Sequence, residues 1–109
     1  MSGEFWRVIY SQEAKQDLKN LDGSTRIIVR KAIPKVSQNP LPVSEGGFGK
    51  PLGNKDNANL TGCLKIKILS AGIRVIYQLK RTELGMEIIV IGARADSEVY
   101  KEAIRRMEK

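Results

Sequence analysis

Three apolar-rich stretches follow one another between residues 64 and 92, separated only by short turn signals. They constrain the fold more than any other feature of the chain. Residues 64 to 69 (LKIKIL) and 73 to 80 (IRVIYQLK) flank Ser70-Ala71-Gly72. Residues 86 to 92 (MEIIVIG) follow a turn over Glu83 to Gly85. Their β-branched content predicts strands, and the gaps leave room only for hairpins. The third stretch is apolar on both faces, which suits a strand near the centre of a sheet.

The first half reads differently. Residues 5 to 10 (FWRVIY) predict a strand. Ser11 suits a helix N-cap and Glu13 its first turn, and Ala14, Leu18 and Leu21 recur at helical spacing. Asp22-Gly23 stops that helix, and Ser24 suits the cap of a second one carrying Ile28, Ala32 and Val36, so the pair predicts an αα-hairpin. Pro34 inside the second helix predicts a kink, because Val36 continues the periodicity. Residues 40 to 62 hold three of the four prolines and no periodicity, and read as a long loop. Asp96 or Ser97 suits the cap of a last helix with Val99, Ala103, Ile104 and Met107 on one side. The expected fold class is α+β, in the order β-α-α-β-β-β-α. A small antiparallel-type sheet would carry the N-terminal αα-hairpin and a short C-terminal helix packed on one face. Residues 1–109 are expected to form a single domain, since 109 residues support one modest core.

Lys and Arg number 19 against 12 Asp and Glu, and a net charge of +7 favours polyanionic partners, nucleic acid first. No signal peptide or membrane-length apolar run is read, and the lone Cys63 fits a reducing cytoplasm. One cysteine and no histidine leave no zinc site. Acid–base chemistry must then run on Lys, Tyr, Asp or Glu, with Arg stabilising charge.

Parity decides whether the cations of the hairpin meet. An even turn after Leu69 sets Lys67 across from Ile76 and brings Arg74 to the face of Lys65 and Lys67. An odd turn would put Arg74 among the apolar residues, and burying an unpaired guanidinium costs several kcal/mol. The even register is therefore expected. Like charges opposed on a sheet repel, and residues 63 to 80 contain no carboxylate to relieve them, which favours an anion site over a plain solvated face.

With "CLKIKILSAGIRVIYQ" and "IGARADSEVYKEAIRRM" the chain resembles the RelE toxins of bacterial toxin–antitoxin systems. The resemblance is detailed over the hairpin, the last strand and the C-terminal segment, and in layout only before them. It implies a ribosome-dependent, metal-independent and cofactor-free endoribonuclease that cuts messenger RNA in the ribosomal A site and so inhibits translation. By matching position it implies functional roles for Lys65, Lys67, Arg74, Arg94 and Tyr100. It also implies a cognate antitoxin, acidic where it touches the toxin, whose complex with the toxin binds promoter DNA. The chain departs from the pattern at Ala93, where a basic residue is common, and in the length of the loop from 40 to 62.

Metal-free cleavage by 2′-OH attack needs a base, an acid and stabilisation of a dianionic phosphorane. A lysine among other cations has its charged form disfavoured, which makes Lys67 the candidate for proton transfer, with Lys65 assisting. Arg74 and Arg94 would clamp the phosphate, and Tyr100 would stack on a base or orient the 2′-OH. Lys50, Lys55, Lys80 and Arg81 are candidates for RNA and ribosome contact. Tyr77, Trp6 and Cys63 read as packing residues, and Arg105-Arg106 as solvated helix surface. Two other readings stay open: a ParE-like DNA gyrase poison on the same scaffold without ribonuclease chemistry, and a non-catalytic RNA- or ribosome-binding module.

Overall fold

The computed structural model describes residues 6–55, 58–93 and 95–108. Strand β1 (Arg7–Tyr10) leads into helices α1 (Gln12–Asn20) and α2 (Gly23–Ser37). Strands β2 (Lys50–Lys55), β3 (Ala58–Ile68), β4 (Ile73–Lys80) and β5 (Gly85–Gly92) follow, and helix α3 (Asp96–Met107) ends the described chain. The five strands form one sheet in the order β1-β5-β4-β3-β2. No described helix is long and apolar enough to cross a membrane.

Local signals explain the helical half. Ser11 accepts a hydrogen bond from the Ala14 amide at 3.1 Å, the expected cap of α1. At α2 the cap is Asp22 rather than Ser24: its carboxylate accepts from the Thr25 amide at 2.8 Å and from the Ser24 hydroxyl at 3.0 Å. These bonds hold the Asp22 carboxyl below the usual range. The anion outcompetes the hydroxyl because it meets the positive end of the helix dipole. Helix α2 runs on past Pro34 to Ser37, as the periodicity at Val36 predicts.

The sheet departs from the expected one in three ways. It is mixed, because β1 pairs parallel with β5 while every other pairing is antiparallel. Strands joined through the αα-hairpin and three further strands have ample chain for a parallel return. Residues 40 to 62 are not one loop, since β2 and the first part of β3 lie within them and pair with each other. Pro51 and Gly53 hide β2 in the sequence, and the pairing carries an irregularity between them; an edge strand tolerates both residues. Finally, the helices occupy both faces. Ala14 of α1 and Val29 and Ile33 of α2 pack on Ile66, Val75, Tyr77 and Ile88. Val99, Tyr100 and Ala103 of α3 pack on Cys63, Ile76, Ile89 and Val90 of the other face. An irregularity between β4 and β5 makes that second face apolar enough to hold a helix. Ile76 pairs with Val90 and Tyr77 with Ile88, so Ile89 is the extra residue.

Candidate functional site

The cations of β3 and β4 come together as parity requires. Lys67 lies directly opposite Arg74, and Arg74 opposite Gly92 of β5. On the neighbouring rung Ile76 faces Lys65, which faces Lys50 at the start of β2. The cross-strand partner of Lys67 is therefore Arg74 rather than Ile76. The hairpin closes at Ile68–Ile73 around four residues, and Gly72 takes the left-handed φ of 64° that this turn needs.

The face is not uniformly solvated. Lys67 is exposed and Arg74 half-buried, but α3 covers Lys65, which is 5% exposed. Its ammonium donates to the Tyr100 hydroxyl at 2.7 Å, and Nζ lies 5.3 Å from the centre of that ring. A lysine so deeply buried is uncommon and persists only with partners. Val99, one residue earlier, sits over Gly92, where an added Cβ would stand 3.4 Å from its Cγ2. Thus α3 is laid across both rungs, with Tyr100 directed at Lys65. Arg94 lies outside the described residues.

The other predicted contact residues separate. Lys50 joins the site beside Lys65, whereas Lys55 ends β2 at its far end, paired with Ala58. Lys80 reaches Glu87 at 3.4 Å, and Arg81 makes a two-pronged pair with Glu45 at 3.1 and 2.9 Å. The Arg81 hydrogen bonds hold the Glu45 carboxyl below its usual range. Lys80 stands about 20 Å along β4 from Arg74, at ~3.3 Å per residue, and Arg81 lies just past that end of the strand. Tyr77, Trp6 and Cys63 pack as expected: Tyr77 is fully buried, Trp6 packs against the first core, and burial pushes the Cys63 thiol up. Arg105 lies on the helix surface, pairing with Glu102 and Glu13. Arg106 departs from its reading, with only 12% of its side chain exposed.

Sequence reasoning missed Lys35 and Phe48. Both line a groove of about 510 Å³ that opens beside Lys65 and Lys67. Phe48 is 57% exposed, and its place beside the site depends on β2, the strand the sequence conceals.

A mixed five-stranded sheet carries an αα-hairpin on one face and helix α3 over paired lysines and an arginine on the other, and this fold is shared with solved RelE toxins. In both sequence and fold the chain is similar to RelE-type toxins. It is 28% identical over 98 residues to the mRNA interferase toxin RelE of Escherichia coli K12, covering 90% of this chain and 93% of that protein. The same identity and coverage hold for the mRNA interferase RelE of Shigella flexneri. A mutant of E. coli toxin RelE, solved in the free state, superposes with a TM-score of 0.72 at 26% identity, covering 95% of this chain and 99% of that one. The RelBE2 toxin–antitoxin complex of Mycobacterium tuberculosis shares the fold, with a TM-score of 0.65 at 22% identity over 84% of this chain and 100% of that one. No family model matches the chain.

Proposed function

We propose that this chain is the toxin of a type II toxin–antitoxin pair, and that it cleaves messenger RNA on the ribosome, within A-site codons. The observation that carries the reading is the pairing of two adjacent rungs: Lys67 opposite Arg74, and Lys65 hydrogen-bonded to Tyr100. A binding surface gains nothing from a lysine buried against a tyrosine hydroxyl, whereas proton transfer does. The relatives named as mRNA interferases point the same way.

In this reading the 2′-OH attacks the adjacent phosphorus as its proton leaves to a base, and the 5′-oxygen departs as it gains a proton. The products are a 2′,3′-cyclic phosphate and a free 5′-hydroxyl. Burial disfavours a charged amine, so we assign proton transfer to Lys65 with Tyr100, and phosphate binding to Lys67 and Arg74. That reverses the order of the two lysines expected from the sequence, because the sequence does not show which one a helix covers. Arg94 completes the proposed set by its match to the family pattern. The partner is a cognate antitoxin; E. coli RelE has been solved with the antitoxin RelBc peptide and in the intact RelBE complex. We further propose cytoplasmic action, and promoter binding by the toxin–antitoxin complex.

Primer extension on a messenger RNA tests the reading, with purified protein and the transcript either naked or on ribosomes. Cuts within A-site codons that need the ribosome and vanish in Lys65→Ala support it. Intact transcript under both conditions overturns it and leaves the gyrase-poison and non-catalytic binding-module readings.

A further inference from the structure

The groove beside the site has features the cleavage chemistry does not use. Strand β2 stops opposite Lys65, so β3 from Ile66 to Ile68 has no β2 residue beside it. The last turns of α2 lie above that stretch, and Phe48, two residues before β2, closes the side. The floor is apolar, made by Ala32, Val36, Ile66 and Ile68. The rim carries Lys35, Lys50 and Lys67, all exposed, and no carboxylate is among the described lining residues. Its volume of about 510 Å³ falls in the range of small-molecule sites, roughly 300–1,000 Å³.

These features select a ligand. Phe48 leaves 57% of its surface in water, so most of its apolar ring is not used in packing. A flat exposed ring above an apolar floor, within a ring of lysines, fits a flat apolar group tied to negative charge. A base of single-stranded RNA is that group: aromatic side chains stack on its face while lysines meet the phosphates on either side. Lys67 belongs both to the groove rim and to the rung with Arg74, so a strand bound at the site passes directly into the groove.

We propose that the groove between α2, Phe48 and the edge of β3 is a base-stacking subsite for a nucleotide flanking the scissile phosphate. The proposal rests on the RNA-cleaving reading of the adjacent site and adds to it a determinant of which nucleotide is held there. An acidic peptide adding to the β3 edge is the competing occupant, but it has no use for the exposed ring.

The test is methyl and amide NMR of the full chain, titrated with a 2′-O-methyl trinucleotide that cannot be cut by 2′-OH attack. Expected are ring-current shifts at the Val36, Ile66 and Ile68 methyls, with binding weakened about 5- to 100-fold in Phe48→Ala and kept in Phe48→Trp. Shifts confined to the Lys67 and Arg74 amides would show that RNA bypasses the groove and overturn the proposal. Groove methyls that move only with an acidic peptide would overturn it as well, and assign the groove to a protein. Because the oligonucleotide is not cleaved, a groove that responds establishes base stacking there even if primer extension shows no cutting, and only its place beside a scissile phosphate then falls. A groove that stays silent fails even if cutting is seen.

Discussion

Arg106 of α3 lays its guanidinium on the Asp17 carboxylate of α1, with contacts of 2.7 and 3.0 Å. Asp17 also accepts from the Ile91 amide at 2.9 Å, and Arg106 donates to the Ile89 carbonyl at 2.8 Å. Strand β1 pairs with β5 only as far as Ile88, so this ion pair satisfies the β5 backbone where its neighbouring strand has ended. Glu102 joins through hydrogen bonds from Arg105 and Arg106, which hold its carboxyl down to about 2. The pair thus ties the helix on one face of the sheet to a helix on the other.

The Asp17–Arg106 pair should be a main anchor of α3. Only 17% of the Asp17 side chain and 12% of that of Arg106 are exposed, so removing one partner leaves the other charge poorly hydrated. Arg106→Ala should lower unfolding stability by about 2–4 kcal/mol. Arg106→Lys should recover little, because an ammonium cannot span two carboxylate oxygens and a carbonyl. Urea denaturation reads the loss, and hydrogen exchange should show α3 amides deprotected first. A change below about 0.5 kcal/mol in Arg106→Ala would mean the pair is ordinary surface electrostatics.

This anchor marks the limit of what the sequence reveals. Strands β3 and β4 are legible because their period is two, β5 because a short β-branched run apolar on both faces suits a central strand, and the face of Arg74 because burying it unpaired is costly. Strand β2 is not, since "KPLGNK" has neither alternation nor β-branched residues. The second face of the sheet could have been found: Cys63, Ile76, Ile89 and Val90 share it with Lys65, and a purely solvated face would not carry them. Without that cover, nothing in the sequence separates the buried Lys65 from the exposed Lys67. Nothing local to Arg106 signals a partner 89 residues away in the chain.

The Lys65–Tyr100 hydrogen bond should matter more for rate than for stability. Tyr100→Phe keeps the ring under α3 and removes only the hydroxyl, a stability cost of about 1 kcal/mol. Lys65→Met keeps the buried stem and removes the charge, so it should fold at least as well as the parent. If these groups move protons, both variants should lose about 10²- to 10⁴-fold in ribosome-dependent cleavage. Cleavage at the parental rate by stably folded Lys65→Met would exclude it from the chemistry.

Tyr77 predicts an alkaline limit to stability. Its hydroxyl donates to the Pro40 carbonyl at 2.8 Å, and burial pushes the phenol well above its ordinary value. The folded state thus holds this proton more tightly than the unfolded chain. The contribution is fully present below about pH 10 and is lost as pH rises beyond it. Tyr77→Phe should cost about 1 kcal/mol at neutral pH, leaving the Pro40 carbonyl unpaired, and should flatten the decline above about pH 10. Urea midpoints taken across that range compare the two proteins. Parallel pH profiles would show that other groups set the alkaline limit.

Gly49 is required by contact rather than by backbone conformation. A Cβ there would collide with the Tyr77 hydroxyl and with Cδ2 of Leu64, and would stand 3.1 Å from the Pro40 carbonyl oxygen. Leu64 can shift, but the Tyr77 hydroxyl is held in its own hydrogen bond to Pro40. Gly49 is also fixed through its backbone, donating to Leu41 at 3.0 Å and accepting from Val43 at 2.8 Å. Gly49→Ala should therefore cost about 1–3 kcal/mol and displace the neighbouring Phe48 and Lys50. Gly23→Ala is the control: it begins α2, nothing lies within 4 Å of its added Cβ, and its φ is not in the left-handed region. It should be neutral or stabilise by up to about 1 kcal/mol, since alanine restricts the unfolded chain. Thermal unfolding of the two variants separates contact from chain entropy. A Gly49→Ala protein as stable as Gly23→Ala would mean that the Tyr77–Pro40 contact yields without cost.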